Sequence, residues 1–141
     1  MKVFLDTSVL IAVFYPDHEH HQRSIELVLR HSELDISCAA HSLAEVYAGL
    51  TAMPGKKRVS GDEAGLFLQS LRERMTPIAL TSDEYYRLTE EAATLGLSSG
   101  AIYDALIGQC ALKAGATTIY TWNPKHFLRL GTAIAPLVTT P

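Results

Sequence analysis

Three long segments of this 141-residue chain are almost free of charge, and each of them keeps a single acidic side chain. With histidine counted as neutral, the segments and their acids are 3–16 with Asp6, 36–55 with Glu45, and 92–112 with Asp104. Segments this apolar are expected in the core, where an isolated ionised carboxylate is costly unless a partner compensates it. None of the three contains a lysine or arginine. We therefore expect the three acids to converge on one shared cation, for which a metal ion is the simplest candidate.

Each acid also has a local explanation that involves no metal. Asp6 is suited to an Asx turn at the end of a strand, and Asp104 to the first turn of a helix, where the dipole favours an acid. Glu45 follows Ser42 by three residues, which is the spacing of a capping box. One shared site accounts for all three acids together, whereas the local explanations need three separate coincidences.

Composition and charge exclude several classes of protein. Apolar residues make up 48% of the chain, and 12 Lys+Arg against 15 Asp+Glu give a net charge of −3, so bulk positive charge cannot attract a nucleic acid. No uncharged apolar stretch reaches the roughly 18 residues of a membrane span, and no basic region or cleavage site indicates a signal peptide. Cys38 and Cys110 lack CxxC spacing and cannot form a disulfide scaffold. We expect one cytoplasmic domain over residues 1–141 that does not bind membranes.

Strand-like and helix-like segments alternate along the chain. Strands are predicted at 2–5, 34–38, 77–80, 117–121 and 136–139. Helices are predicted at 9–14, from an N-cap at Asp17 to about 31, from 42 to the break at 53–55, at 62–74, from the capping-box pair Thr81 and Glu84 to Gly96, and from about 100 to 114. This alternation predicts a three-layer α/β/α sandwich with a central parallel sheet. Ligands of such folds bind beyond the carboxyl ends of the strands, where Asp6 and Asn123 stand.

Helical periodicity predicts which faces of two helices are buried. The residues expected to point inward are Leu43, Val46, Tyr47 and Leu50 on the third helix, and Leu66, Phe67, Leu71 and Met75 on the fourth. On the side of Glu45 the third helix carries the small residues Ala48, Gly49 and Ala52, so a backbone or a ligand is expected to approach closely there.

The candidate catalytic residues are Asp6, Glu45 and Asp104, with Asn123 as a weaker fourth. Oxygen ligands of this kind suit Mg²⁺ or Mn²⁺, and the chain has no thiolate set for zinc. Because Mg²⁺ keeps several waters and accepts phosphate oxygens from its substrate, a sparse set of carboxylates favours phosphoryl chemistry. The predicted reaction is hydrolysis of a phosphodiester by a water that the metal activates.

Four sequence features stand in an order typical of one protein family. They are Asp6-Thr7-Ser8-Val9-Leu10-Ile11 after an N-terminal strand, Glu45 near the start of a helix, Asp104 in an apolar helix, and Thr121-Trp122-Asn123 before Phe127. Together they resemble the PIN domain over essentially the whole chain. The short single-domain form is most similar to the VapC-type toxins of bacterial and archaeal toxin–antitoxin pairs.

The resemblance implies a Mg²⁺- or Mn²⁺-dependent endoribonuclease that cleaves RNA, is usually a homodimer, and is bound near its active site by a cognate antitoxin. Carried over by position, Asp6, Glu45 and Asp104 are the three core acids and metal ligands. Asn123 stands where an aspartate is common, and its amide brings no negative charge. The hydroxyls of Thr7 and Thr121 are candidates for holding carboxylates or waters, although both residue types are also common in turns.

Several further residues are candidates for contact with the substrate. Lys56, Lys57, Arg58 and His126 are candidates for RNA contact, and a solvated loop explains the three basic residues equally well. Trp122 is the preferred candidate for stacking on a base, whereas Tyr85, Tyr86 and Tyr103 are interpreted as packing residues. The cluster His18, His20 and His21 is interpreted as a polar helical turn, because no further ligand stands at zinc spacing.

Two other functions compete with this hypothesis. The main alternative is a catalytically impaired PIN fold that binds RNA or protein, with Asn123 marking the loss of activity; the three retained acids argue against it. A haloacid-dehalogenase-like phosphatase fits poorly, because it needs a second acid two residues after the first, where this chain has Ser8.

Overall fold

The computed structural model describes residues 2–141, and its centre is a five-stranded parallel sheet. The strands are β1 (Val3–Leu5), β2 (Ile36–Ala39), β3 (Thr76–Ile78), β4 (Thr118–Tyr120) and β5 (Val138–Thr139), in the spatial order β3-β2-β1-β4-β5. Each predicted strand is present, with shifted ends. The predicted parallel α/β architecture is confirmed.

Seven α-helices connect or follow these strands in the described chain. They are α1 (Thr7–Phe14), α2 (His21–Arg30), α3 (Ala40–Ala52), α4 (Gly61–Arg72), α5 (Ser82–Thr94), α6 (Ala101–Lys113) and α7 (Pro124–Leu128), with 3₁₀ turns at Gly55–Lys57 and Ala135–Leu137. The short helix α7 was not predicted. None of the helices within residues 2–141 is long and apolar enough to cross a membrane. Cys38 and Cys110 are both buried and unpaired.

The central strand β1 shows how the three layers form. Successive strand residues point to opposite faces, so Val3 and Leu5 join a core with α1 to α4, while Phe4 joins a second core with α5 to α7. All three side chains are at most 1% exposed. A strand buried on both faces is a continuous apolar run, which is why the segment before Asp6 could be recognised.

The sheet order places β1 and β4 side by side although most of the chain lies between them. Leu5 pairs with Tyr120, and the Asp6 amide donates to the Tyr120 carbonyl at 2.9 Å. The chain builds outward from β1 through β2 to β3, then returns to the other side of β1 for β4 and β5. Such a reversal opens a crevice at the carboxyl ends of the strands, where Asp6 and Thr121 follow β1 and β4.

Two of the predicted helix starts are wrong. Helix α2 begins at His21, because turns extend from Tyr15 to His20, and Asp17 is not its N-cap but accepts a hydrogen bond from Lys57 Nζ at 2.7 Å. Helix α3 begins at Ala40, so Ser42 lies inside the helix and does not form a capping box with Glu45. The local explanation of Glu45 is therefore removed.

The capping box of α5 and parts of the predicted faces are confirmed. Thr81 and Glu84 exchange the two hydrogen bonds of the box.

The buried faces of α3 and α4 are narrower than predicted. Tyr47 and Leu66, which were expected to point inward, are 46% and 67% exposed. On α3 the buried residues are Ser42, Val46 and Leu50, which stand one turn apart.

Helix α6 packs against the C-terminal segment at a glycine. A Cβ atom on Gly108 would lie 2.7 Å from the Cδ1 atom of the buried Ile134. This distance is shorter than a van der Waals contact, so the close approach needs a residue without a side chain.

We expect Gly108→Ala to lower the free energy of unfolding by about 1–3 kcal/mol, because overpacking outweighs the better helix propensity of alanine. Urea denaturation measures this loss. Replacing Ile134 by valine removes the conflicting methyl group, so alanine at 108 should cost less in the Ile134→Val background.

Gly65→Ala on the exposed face of α4 is the matched control for Gly108→Ala, because nothing lies within 4 Å of its added Cβ. It should be neutral or stabilising. Equal stability of the two alanine variants would contradict the packing argument.

Candidate active site

The carboxylate of Asp6 is fixed by two hydroxyl groups that bind the same oxygen. Its Oδ2 accepts hydrogen bonds from Ser8 Oγ and Thr121 Oγ1, both at 2.8 Å. Each hydroxyl in turn accepts a backbone N–H: Ser8 from Trp122 at 2.9 Å, and Thr121 from Asn123 at 3.0 Å. Asp6 also caps α1 through a longer contact with the Ser8 amide, so its local role and its place in a shared site coexist.

The other oxygen of Asp6 remains open. Within residues 2–141, Oδ1 accepts no hydrogen bond, although Asp6 is only 5% exposed. No buried side-chain oxygen or nitrogen in this part of the chain lacks a hydrogen-bond partner, so Oδ1 must keep contact with solvent. It is therefore available to a ligand that enters the crevice.

Glu45 is brought to this site by the close packing of α1 on α3. The Thr7 hydroxyl donates to Glu45 Oε1 at 2.9 Å and lies at the same distance from Ser42 Oγ. One turn further along both helices, a Cβ on Gly49 would lie 3.3 Å from Ile11 Cδ1. Gly49 therefore permits the close approach of α1 to α3 that the sequence predicted. The Thr7 hydroxyl fixes the Glu45 carboxylate.

His41 connects Glu45 to α6. Its Nε2 lies 3.7 Å from Glu45 Oε1, and its ring stacks on Tyr103 with a centroid distance of 5.2 Å and an interplanar angle of 11°. Tyr85, Tyr86 and Tyr103 are 45%, 71% and 51% exposed, so the interpretation of these three tyrosines as packing residues is wrong.

Asp104 lies in the first turn of α6. It is approached by His126 of α7 and by Arg129, the residue that follows α7. Arg129 Nη2 donates to Oδ2 at 3.4 Å, and His126 Nδ1 lies 3.8 Å from the same oxygen. Burial is the main cause that raises the pKa of Asp104. His126 and Arg129 lower this pKa, whereas the negative charge of Asp6 raises it. The negative charge of Asp6 thus disfavours ionisation of Asp104. Asp104 therefore has the cationic partner that its own segment lacks.

Asn123 begins α7 on the exposed side of this group. Its backbone N–H binds Thr121, but its side chain forms no capping hydrogen bond. The side-chain carboxamide therefore does not cap its own helix. It stands two residues after Thr121, whose hydroxyl binds Asp6.

Trp122 is not the open stacking surface that the sequence predicted. Its Nε1 donates to Ser24 Oγ at 2.8 Å, and His20 covers one ring face at 3.7 Å with the planes 6° apart. The neighbouring histidines also make protein contacts: His18 Nδ1 accepts the His20 amide, and His21 Nδ1 lies 2.9 Å from the Ala12 carbonyl. Trp122 thus joins the end of β4 to α2.

The basic loop lies away from the acids. Lys57 pairs with Asp17, and Arg58 Nε donates to the Met53 carbonyl at 3.1 Å. With Lys56 they line a surface cavity of about 510 Å³ next to Phe14 and Tyr15. This is the carboxyl end of α1, whereas Asp6 stands at its amino end, and eight helical residues span about 12 Å. RNA contact by this loop stays a prediction.

The acids within residues 2–141 do not form a three-acid metal cage. Among residues 2–141, no group of three or more His, Cys, Asp or Glu side chains is placed so that it could hold a metal ion. Mg²⁺ is nevertheless commonly bound by one or two carboxylates, with waters and substrate phosphates completing its octahedron. Asp6 and Asp104 offer such a pair of hard oxygen ligands. One ion shared with Glu45 as well stays a prediction.

Four residues of the site were missed by the sequence analysis. His41 stands four residues before Glu45, so helical spacing was a usable signal. Ser8 and Ser42 are small hydroxyl residues beside predicted site residues, but their partners depend on the tertiary fold. Arg129 gave no local signal, because it is 25 residues from Asp104.

Comparison with known proteins identifies the family. Residues 3–132 match the family model of the PIN domain. The chain belongs to the PIN domain family. It is 34% identical to ribonuclease VapC40 of Mycobacterium tuberculosis over 111 residues, which are 79% of each chain. It is 31% identical to ribonuclease VapC27 of the same species over 108 residues, covering 76% of this chain and 74% of that relative.

Two solved structures share the PIN fold of this chain. One is VapBC2 from Rickettsia felis bound to a DNA fragment from its promoter, with a TM-score of 0.64, 22% identity, and coverage of 99% of this chain and 98% of the other. The second is M. tuberculosis VapC20, described as a toxin that cleaves the sarcin–ricin loop, with a TM-score of 0.70, 17% identity, and coverage of 89% and 92%. At these identities the likeness concerns the fold alone.

We expect Thr121→Val to lower the free energy of unfolding by about 1–3 kcal/mol, because the Asn123 amide and the buried Asp6 Oδ2 each lose a partner. Urea denaturation measures the change. Thr117→Val is the matched control, since its hydroxyl donates to the Lys2 carbonyl at an exposed position. Equal losses in the two variants would contradict a special role of the buried hydroxyl.

Proposed function

We propose that this chain is the ribonuclease toxin of a toxin–antitoxin pair and acts in the cytoplasm on RNA phosphodiester bonds. In this proposal Asp6 and Asp104 hold a Mg²⁺ or Mn²⁺ ion, and Glu45 is the third acid. The observation that carries it is the Asp6 carboxylate, which has one oxygen fixed by hydroxyls and the other open toward solvent, and whose charge raises the pKa of Asp104. The ribonuclease relatives support the same activity.

The fixed oxygen of Asp6 defines the direction in which the open oxygen points. Since Ser8 and Thr121 occupy Oδ2, only Oδ1 is left for an ion, and Asp104 would supply a second ligand oxygen. A divalent ion bound there would polarise a phosphoryl oxygen and favour ionisation of a water. Glu45, oriented by Thr7, would accept a proton from the attacking water.

Arg129 supplies positive charge at an otherwise acidic site, and His126 lies beside the same carboxylate oxygen of Asp104. Both groups face Asp104 Oδ2 in the protein without substrate. A phosphate that enters would offer Arg129 a stronger, bidentate partner, so the guanidinium would bind the substrate. In this proposal the Asn123 carboxamide, which forms no capping hydrogen bond, would orient a water or a phosphate oxygen.

A catalytically impaired PIN domain that binds RNA or protein is the alternative. It is favoured by Asn123 in place of an acid and by the lack of a three-ligand cage within residues 2–141. Cleavage experiments separate the two functions.

We expect cleavage of mixed cellular RNA with Mn²⁺ or Mg²⁺, and its loss with EDTA. Asp6→Asn and Asp104→Asn should each reduce the rate by at least about a hundredfold, because each removes an anionic ligand oxygen. Gel electrophoresis of the products measures the rate, and circular dichroism checks the fold.

Asp62→Asn in the exposed first turn of α4 is the control and should cleave like the wild type. Activity that survives EDTA or either active-site substitution would overturn the mechanism. Binding of RNA without cleavage by the wild type would favour the impaired domain.

The proposed partners are a cognate antitoxin and a second copy of the chain. The Rickettsia felis neighbour was solved as a VapBC2 assembly, which supports an antitoxin for this chain also. We expect a small protein encoded in the neighbouring reading frame to copurify with it and to suppress cleavage, and the free chain to sediment as a dimer. A monomer, or a copurified protein that leaves cleavage unchanged, would contradict this assembly.

A further inference from the structure

Tyr103 is an exposed aromatic residue that directly precedes Asp104 of the candidate site. It stands in the first turn of α6, directly before Asp104, and half of it is open to solvent. Its hydroxyl forms no hydrogen bond with any part of the chain from residue 2 to 141. A large aromatic side chain with an open face and an unused polar end has the features of a binding group.

The ring is nevertheless held in a defined orientation. His41 stacks on one face with nearly parallel planes, and the same imidazole approaches Glu45. The stack therefore reaches from α3 to α6, between the helices that carry two of the acids. A ring fixed before binding loses little conformational entropy when a ligand covers its second face.

The stack lies next to the acid that the proposed function assigns to phosphate chemistry. Asp104 turns toward α7 and Arg129, while Tyr103 turns toward α3, so the two neighbours flank the place where the phosphate would bind. A flat, uncharged aromatic surface next to a phosphate site suits a nucleobase. Trp122 cannot serve in this way as readily, because it is partly buried against the core and its Nε1 is bonded to Ser24, whereas Tyr103 is 51% exposed and its hydroxyl is unbonded within residues 2–141.

We propose that the open face of Tyr103, held by His41, stacks against an unpaired nucleobase of the RNA next to the cleaved bond. The nature of the ligand rests on the proposed function. Stacking of this kind requires a base that is not already in a duplex, so the preferred substrate is a single strand or a loop. Tyr103 is then a residue that positions and selects the substrate, and it takes no part in proton transfer.

The test compares Tyr103→Leu, which removes the ring at similar volume, with Tyr103→Phe, which keeps it. The substrate is a short single-stranded RNA selected from a random pool by cleavage with the wild type in Mn²⁺. Tyr103→Leu should raise KM by about five- to a hundredfold and leave kcat unchanged, whereas Tyr103→Phe should behave like the wild type. Tyr86→Leu is the matched control, because Tyr86 is more exposed and lies on α5.

Abasic substitutions along the same RNA identify the stacked base. One abasic position should weaken binding to the wild type and have no further effect on Tyr103→Leu. The affinities are measured by fluorescence anisotropy in the Asp6→Asn background, with the random pool as the ligand if no cleaved RNA is found, so that binding is recorded whether or not cleavage occurs.

The outcomes separate this inference from the proposed function. If RNA affinity depends on the Tyr103 ring but the wild type does not cleave RNA, stacking is supported and the ribonuclease proposal is overturned. Affinity that is indifferent to the ring would overturn stacking even if cleavage proceeds. A Tyr103→Leu variant that loses only antitoxin binding, or that loses kcat at unchanged KM, would also overturn it.

Discussion

A single carboxylate oxygen joins the two strands on which the site is built. Two backbone amides beyond β4 donate to two hydroxyls, and both hydroxyls donate to Oδ2 of Asp6 beyond β1. In a buried setting such linked hydrogen bonds strengthen one another. They lock the ends of β1 and β4 together, set the direction of Oδ1, and place Trp122 and Asn123. The catalytic proposal and the positions of α2 and α7 all depend on this arrangement.

The sequence predicted the sheet and the acids because both leave local traces. A strand covered on both faces is a short apolar run, and a charge within such a run is conspicuous. Asp6 and Glu45 could therefore be selected without knowledge of the topology. The spacing of Thr81 and Glu84 predicted a helix start for the same reason, since both partners lie within one turn.

The partners of the acids could not be predicted, because they depend on how the helices are rotated and packed. Arg129 reaches Asp104 from α7, a helix that the pattern did not indicate, and Tyr103 meets His41 across two elements. The same limit explains why Tyr47 and Leu66 are exposed although they lie on the predicted inward faces of their helices. Periodicity gives a broad face, and only the packed neighbours decide which part of it is covered.

The stack of His20 on Trp122 gives the molecule a built-in optical reporter. The chain has one tryptophan, so all indole emission comes from a ring one residue from the hydroxyl that holds Asp6. Its electronic surroundings are an imidazole on one face and a serine hydroxyl at the nitrogen. Any event that loosens the crevice changes these surroundings, so intrinsic fluorescence follows the state of the candidate site without an added dye.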